Sequence, residues 1–422
     1  MAGYYTRYIE KQIETALRTA GAVVVTGPKF SGKTTTSMLF QKSFIKLNTA
    51  AAVAVAEADP KGTLEGGKPR LIDEWQTVPD IWNEVKNDLD ENYVFGKYIL
   101  TGSSTPADRR KIFHSGVGRI TEVRMRPMSL YESGDSDGAV SLSDLLDGKE
   151  IGVDMNDAFT IKRAAWLIVR GGWPISVLSD ESFALEVTRN YYNGLFSFEN
   201  SENERFRNKR PEVMRMLTKS LSRNLSSEAS DETIMKDLRK ANDRTMDRKT
   251  YDEYLDALRD IFVIEDLEAW SPCFRSATVM RTSPVRHFTD TSVAAASLSL
   301  SPEDLLNDRE TFGLFFEDMA IRDLRIYTEY LRGEVRHYRD SSGLECDAVL
   351  HFSDGRWGAV EIKLGGEDNI EAGAASLLRL KRKLGEKSSE KEPSFLMVLT
   401  AKSPAYRRKD GVYVVPVNKL KA

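Results

Sequence analysis

The chain has 422 residues, 41% hydrophobic and 29% charged, with 60 basic against 64 acidic side chains and a net charge of −4. That length exceeds one ordinary core and predicts two to four domains, while the near balance of charge excludes a protein that coats nucleic acid over its whole surface. Cys273 and Cys346 lie far apart and no apolar run approaches membrane-spanning length, which excludes a disulfide framework, a thiolate zinc site and a membrane partner and suits a reducing cytoplasm.

The opening MAGYYTRYIEKQIETAL reads as an amphipathic helix. VVVTGPKFSGKTTTSMLF follows, a buried strand over Ala22 to Thr26, a glycine-bearing turn and a helix beginning near Lys33. The turn spells G-x-x-x-x-G-K-T. Gly27 and Gly32 permit a backbone path whose N–H groups converge on one point, to which the helix adds the positive end of its dipole. Such a socket holds phosphate. Lys33 is placed to reach the β- and γ-phosphates of ATP, Thr34 to take one position on Mg²⁺, and Thr35 to line the same first turn.

Forty residues on, PRLIDEWQ sets Leu71 and Ile72 in a short strand with Asp73 and Glu74 at its carboxyl end, where open α/β sheets bind ligands. Asp73 suits Mg²⁺ and Glu74 suits activation of the attacking water. KYILTGSS supplies a third strand, Tyr98 to Leu100, with Ser103, or Thr101 before it, at a polar tip able to sense the γ-phosphate. The next stretch carries Arg109, Arg110, Arg119, Arg124 and Arg126. Arg119, with the flexible Gly116 and Gly118 beside it, is the candidate for stabilising the transferred phosphoryl group, in its own chain or in a neighbouring copy, so a homo-oligomer joins the expected partners.

The succession GPKFSGKT, LIDEWQ, ILTGSS, HSGVGR, MRPMSLYE and RGGWP resembles one group of prokaryotic AAA-type ATPases that end in a domain of unknown function. The resemblance covers nearly the whole chain. It implies a parallel α/β sheet with Lys33 and Thr34 in the nucleotide loop, Asp73 and Glu74 at the acidic strand end, and Arg119 as the arginine of the glycine-flanked segment. LNTAAAVAVAEADPKGTLEGGK departs from the group's pattern, being alanine-rich where a clearer strand and loop are expected.

The remaining boundaries follow composition. Residues 1–132 form the ATPase domain and 133–197 a helical connector whose DAFTIKRAAWLIVRGGWP is a helix with Trp166 and Trp173 as packing residues. Residues 198–270 open on a basic approach, seven Lys or Arg against one acid from Arg205 to Asn224, and then show three helical patterns and a short strand. That is the outline of a winged helix. Arg248, Lys249 and Tyr251 would lead its recognition helix onto DNA; the other reading, a strut between domains, is favoured by the acids Asp247, Asp252 and Glu253. Residues 271–300 read as a linker.

In 301–422 a long apolar helix carrying Glu317 precedes three strands, a basic helix and a closing pair of strands. Asp347 lies near the start of the second strand. Glu361 and Lys363 lie two apart on the third and share a face. Acid, then acid-x-lysine, with a helix acid behind, resembles the PD-(D/E)XK nuclease constellation and fold. That resemblance assigns Glu317, Asp347 and Glu361 to a divalent metal and Lys363 to the attacking water, with Glu345 a spare on the face of Asp347. The expected function is an ATPase whose nucleotide state governs binding or Mg²⁺-dependent cleavage of nucleic acid by the carboxyl domain. The alternative is a regulatory ATPase whose carboxyl domain is an inactive docking module.

Overall fold

The computed structural model describes residues 3–103, 116–155, 159–196, 209–242, 246–271, 283–387 and 392–422. The chain divides into two compact units. One comprises 1–127 with 193–214 and 248–263, the other 128–192 with 215–247 and 264–422.

The first unit is built on a five-stranded parallel sheet of β1 (Ala22–Thr26), β2 (Ser43–Lys46), β3 (Arg70–Asp73), β4 (Tyr98–Thr101) and β5 (Ile120–Arg124) in the order β2-β3-β4-β1-β5. Period-two alternation divides its apolar residues between two cores. Val23, Val25, Leu71 and Ile99 pack with Ile9, Ile13 and Ala16 of the helix Ile9–Thr19. Val24, Ile72 and Leu100 pack with Ile81, Val85 and Leu89 of the helix Asp80–Glu91. Both faces are thus covered, as a parallel sheet requires. The alanine-rich stretch, weakly patterned in sequence, is mostly helical, with Ala50–Ala58 capped by Thr49 and Pro60–Thr63 capped by Asp59.

In the second unit a mixed six-stranded sheet has the order β11-β12-β10-β9-β8-β7. The short β6 (Val140–Ser141) pairs in parallel with Leu420–Lys421, and the six strands of the sheet are β7 (Gly333–Arg339), β8 (Glu345–Phe352), β9 (Trp357–Lys363), β10 (Phe395–Thr400), β11 (Tyr406–Arg407) and β12 (Tyr413–Pro416). β7, β8 and β9 run antiparallel, while β9, β10 and β12 run parallel. The helix Arg309–Tyr330 packs on β7, β8 and β9. The helix Glu367–Lys387 lays Ile370, Ala374, Leu377 and Leu380 onto Val349, Ala359, Leu396 and Val398. The expected succession of helix, three strands, helix and strand is present.

Three boundaries differ from the sequence reading. Residues 128–192 cluster with the carboxyl sheet rather than standing as a separate connector, because Leu130 N donates to Asp323 and Gly172 N to Asp290. From 283 on, the stretch read as a linker is core: Phe288, Val293, Ala294 and Ala295 are buried, and Asp290 caps the helix Thr291–Ser297. Its Ser, Thr and Asp residues resemble loop chemistry but serve a buried hydrogen-bond network. The expected winged helix has its three helices, Pro211–Arg223, Asp231–Asn242 and Arg248–Asp260, yet the third clusters with the first unit and the second with the other. Tyr251, expected to face DNA, is fully buried in that third helix.

Candidate functional site

β1 delivers the phosphate loop at its carboxyl edge. Gly27 has φ 137° and an added Cβ would fall 2.0 Å from the Met125 carbonyl oxygen, so no side chain fits there. Gly32, at φ 99°, opens the helix Lys33–Ser37. That helix has only five residues, so its dipole adds less than the sequence suggested, and the loop amides with Lys33 carry the electrostatics. The Lys33 ammonium is buried and donates to the Gly27 and Pro28 carbonyls at 2.9 and 2.7 Å. Burial pushes its pKa down to about 8, against partial compensation from the charges of Glu74 and Asp73.

The order β3-β4-β1 sets two strand tips beside the loop. Thr34 Oγ1 donates to Asp73 Oδ1 at 2.7 Å, and Thr101 at the end of β4 donates to the same oxygen. Thr35 is exposed on the first helical turn. Glu74 lies one residue beyond Asp73 in a left-handed conformation, φ 58°, and its Oε2 accepts from Gln76 Nε2 at 2.5 Å and Ser103 Oγ at 3.4 Å. Lys33, Thr34, Asp73, Glu74, Thr101 and Ser103 therefore lie together around the loop.

Arg119 does not join them. Parallel pairing sets Ala22 against Ile120 and Thr26 against Arg124, so Arg119 precedes β5 at the amino-terminal edge of the sheet, roughly 17 Å along the strands from the loop. Its carbonyl accepts from Gly21 and Ala22, and its guanidinium pairs with Asp90. Arg109 and Arg110 lie outside the described residues.

In the second unit, antiparallel pairing of β8 with β9 brings Asp347 opposite Glu361 on one face. Lys363 Nζ bridges them, 2.8 Å from Glu361 Oε2 and 3.3 Å from Asp347 Oδ2. Asp347 also accepts from the Ile362 amide at 2.7 Å, and Ser376 Oγ donates to Glu361 at 3.1 Å. Burial and the neighbouring Asp347 charge push both Glu317 and Glu361 above the usual carboxylate range. Burial opposes the Lys363 charge, but Asp347 and Glu361 outweigh it and hold its pKa above that of a free lysine. The four predicted residues thus share one electrostatic neighbourhood. Glu345 is exposed and pairs with Arg339. Among the described residues no three His, Cys, Asp or Glu side chains stand grouped as a metal ligand set.

Residues 19–133 match the AAA domain family. That segment is P-loop ATPase-like. Two families of unknown function also match, DUF8612 over 162–304 and DUF4143 over 312–420. Uncharacterized proteins of Mycobacterium tuberculosis and Mycobacterium bovis are each 30% identical over 129 residues, 30% of this chain and 29% of theirs. The chain therefore spans less than a third of the length of these curated relatives. Among solved structures, a Walker-type ATPase of Pyrococcus abyssi is 13% identical, covering 70% of this chain and 96% of that one at a TM-score of 0.44. A signal transduction ATPase with a tetratricopeptide repeat sensor from Pyrococcus horikoshii is 13% identical over 79% of this chain and 50% of that one, at 0.26.

Around the P-loop, two residues absent from the sequence reading support the site. Arg7, buried, donates to the Ser31 carbonyl at 3.1 Å and the Arg126 carbonyl at 2.8 Å, tying the loop to the segment after β5. Its only signal was a basic residue leading an amphipathic helix. Gln76, buried beside Glu74, was signalled only by the glutamine two positions past the acidic pair. Among the described residues no helix is long and apolar enough to cross a membrane.

Proposed function

We propose that the chain binds and hydrolyses ATP at the phosphate loop, and that nucleotide state governs a nucleic-acid-cleaving site in the carboxyl domain. The ATPase reading rests chiefly on one observation, the Thr34–Asp73 hydrogen bond beside a buried Lys33 whose hydrogen-bond acceptors are neutral carbonyls. Gly27 and Gly32 expose loop amides to the phosphates, and Lys33 turns from its own carbonyls to the β- and γ-phosphate oxygens. The hydroxyl and carboxylate of Thr34 and Asp73 are hard oxygen donors and fit Mg²⁺, which when bound neutralises phosphate charge. Glu74 takes the proton of the attacking water. Ser103 and Thr101 fix the acids from the strand tip. Arg119, remote from its own loop, serves a neighbouring copy if it serves the reaction at all.

In the carboxyl domain, Glu317, Asp347 and Glu361 supply three oxygen-donor side chains against the single charge of Lys363, and two of those acids are driven toward protonation. These acids do not stand as a ready ligand set, so the nuclease reading requires Lys363 to leave its bridge, after which they would hold a divalent cation that polarises a phosphodiester while Lys363 orients the water. A second reading is favoured by the Lys363 bridge itself: an ammonium already spanning both acids suits an inactive docking module. Arg248 is held by Asp252, so its helix is best regarded as a strut.

The test is phosphate release together with cleavage of single-stranded, branched and duplex substrates, with and without ATP, on wild type, Lys33→Ala and Asp347→Ala. ATP hydrolysis lost only in Lys33→Ala, with cleavage lost in Asp347→Ala, is the expected pattern. Intact hydrolysis without any cleavage would favour the docking module, and absence of hydrolysis in wild type would overturn the whole reading.

A further inference from the structure

Gln76 lies in the 3₁₀ turn Trp75–Thr77 that follows the acidic pair, with its side chain buried. The turn is fixed on one side by Trp75, packed in the core against Trp82 at 5.1 Å, and on the other by Thr77, whose amide and hydroxyl both donate to the Glu74 carbonyl. Gly102, just past β4, makes room: a Cβ there would lie 2.6 Å from Gln76 Oε1. The amide end of Gln76 must face Glu74, because the opposite orientation would set a carbonyl oxygen against a carboxylate. Its Oε1 is then left buried without a hydrogen-bond partner. An unpaired buried carbonyl costs stability, so the arrangement is not explained by stability alone.

We propose that Gln76 is a positioning residue for hydrolysis, anchoring one oxygen of Glu74 so that the other is presented to the attacking water. This rests on the ATPase reading above, with Glu74 as base. Two donors, Gln76 Nε2 and Ser103 Oγ, converge on Oε2 alone. Glu74 lies just past the strand in a left-handed backbone conformation, and without an anchor its carboxylate would be free to rotate among rotamers. A base displaced by about 1 Å loses on the order of a hundredfold in rate, so fixing one oxygen has kinetic value.

Single-turnover and steady-state hydrolysis on the full chain decide the matter, using Gln76→Ala, the nearly isosteric Gln76→Glu, Glu74→Gln, and Glu74→Gln combined with Gln76→Ala. Binding of a fluorescent ATP analogue is measured in each. Gln76→Glu keeps the packing but replaces a donor by a second carboxylate, and should lower kcat more than about tenfold with KM changed less than about twofold. Gln76→Ala should fall about tenfold, and the double variant should be no slower than Glu74→Gln. If Gln76→Glu turns over at the wild-type rate, or the double variant loses activity multiplicatively, Gln76 does not act through Glu74 and the inference falls while the ATPase reading stands. If Glu74→Gln itself keeps the wild-type rate, Glu74 is not the base, and the inference falls with that assignment.

Discussion

The phosphate loop and the acid–lysine site of the carboxyl sheet both hold a lysine in the field of two carboxylates, yet they pair it differently. At the loop, Lys33 donates to neutral carbonyls, the acid Asp73 is held by hydroxyls, and burial pushes the lysine down to about 8. In the carboxyl sheet Lys363 lies directly between Asp347 and Glu361, and the same burial instead pushes protons toward Glu317 and Glu361. The residue types match; the local pairing differs, and on the proposed reading an anion would complete the first site and a cation the second.

The largest effect expected from breaking this contrast is at the loop. Lys33→Ala should reduce ATP hydrolysis by at least about a hundredfold, the usual cost of removing a group that stabilises phosphoryl charge, as followed by phosphate release. In the carboxyl sheet, Asp347→Asn and Glu361→Gln should each abolish divalent-dependent cleavage while leaving ATPase within about twofold; equal loss of both activities would deny that the two sites are chemically separate.

Acidity sharpens the contrast further. A buried Lys33 at about 8, against 10.5 for the free side chain, means the folded chain binds fewer protons than the unfolded one between those values. The penalty, on the order of 3 kcal/mol, is fully present below about pH 8 and fades as pH rises toward 10.5. Bound phosphates restore the proton, so Mg-ATP affinity should be level below pH 8 and drop about tenfold per pH unit above it, with proton uptake visible by calorimetry in buffers of different ionisation enthalpy. Affinity that stays level to pH 10 would remove Lys33 from the phosphates. The smallest effect should come from Arg119→Ala, whose partner Asp90 is a surface acid: hydrolysis in dilute protein should change less than about twofold. A large loss that depends on protein concentration would instead set Arg119 in a neighbour's site.

What could be seen in sequence was what a short local pattern controls. Ala22–Thr26, the glycine turn and Lys33 are contiguous, and strand then turn then helix follows from their order alone. Asp347, Glu361 and Lys363 needed only the antiparallel register of two adjacent strands, which alternation of buried residues implies. The place of Arg119, away from its own loop, was not legible because a glycine-flanked arginine says nothing about which end of a parallel strand it occupies; the pairing of Ala22 with Ile120 decides that. Asp290, Arg322 and Asp323 were overlooked as core because charged residues are rarely fully buried unless paired, and their pairing, at 2.8 Å between Arg322 and Asp290, joins residues distant in sequence. Gln76 was invisible for the same reason: its buried side chain meets Gly102, which lies just past β4 and is distant in sequence.

Titration of Mg-ATP into the full chain by calorimetry, for wild type and Lys33→Ala side by side at pH 7.5, tests the phosphate socket most directly. The account predicts saturable binding by the wild type that Lys33→Ala weakens by about two orders of magnitude. Equal affinity in both proteins, or no binding in either, would contradict it.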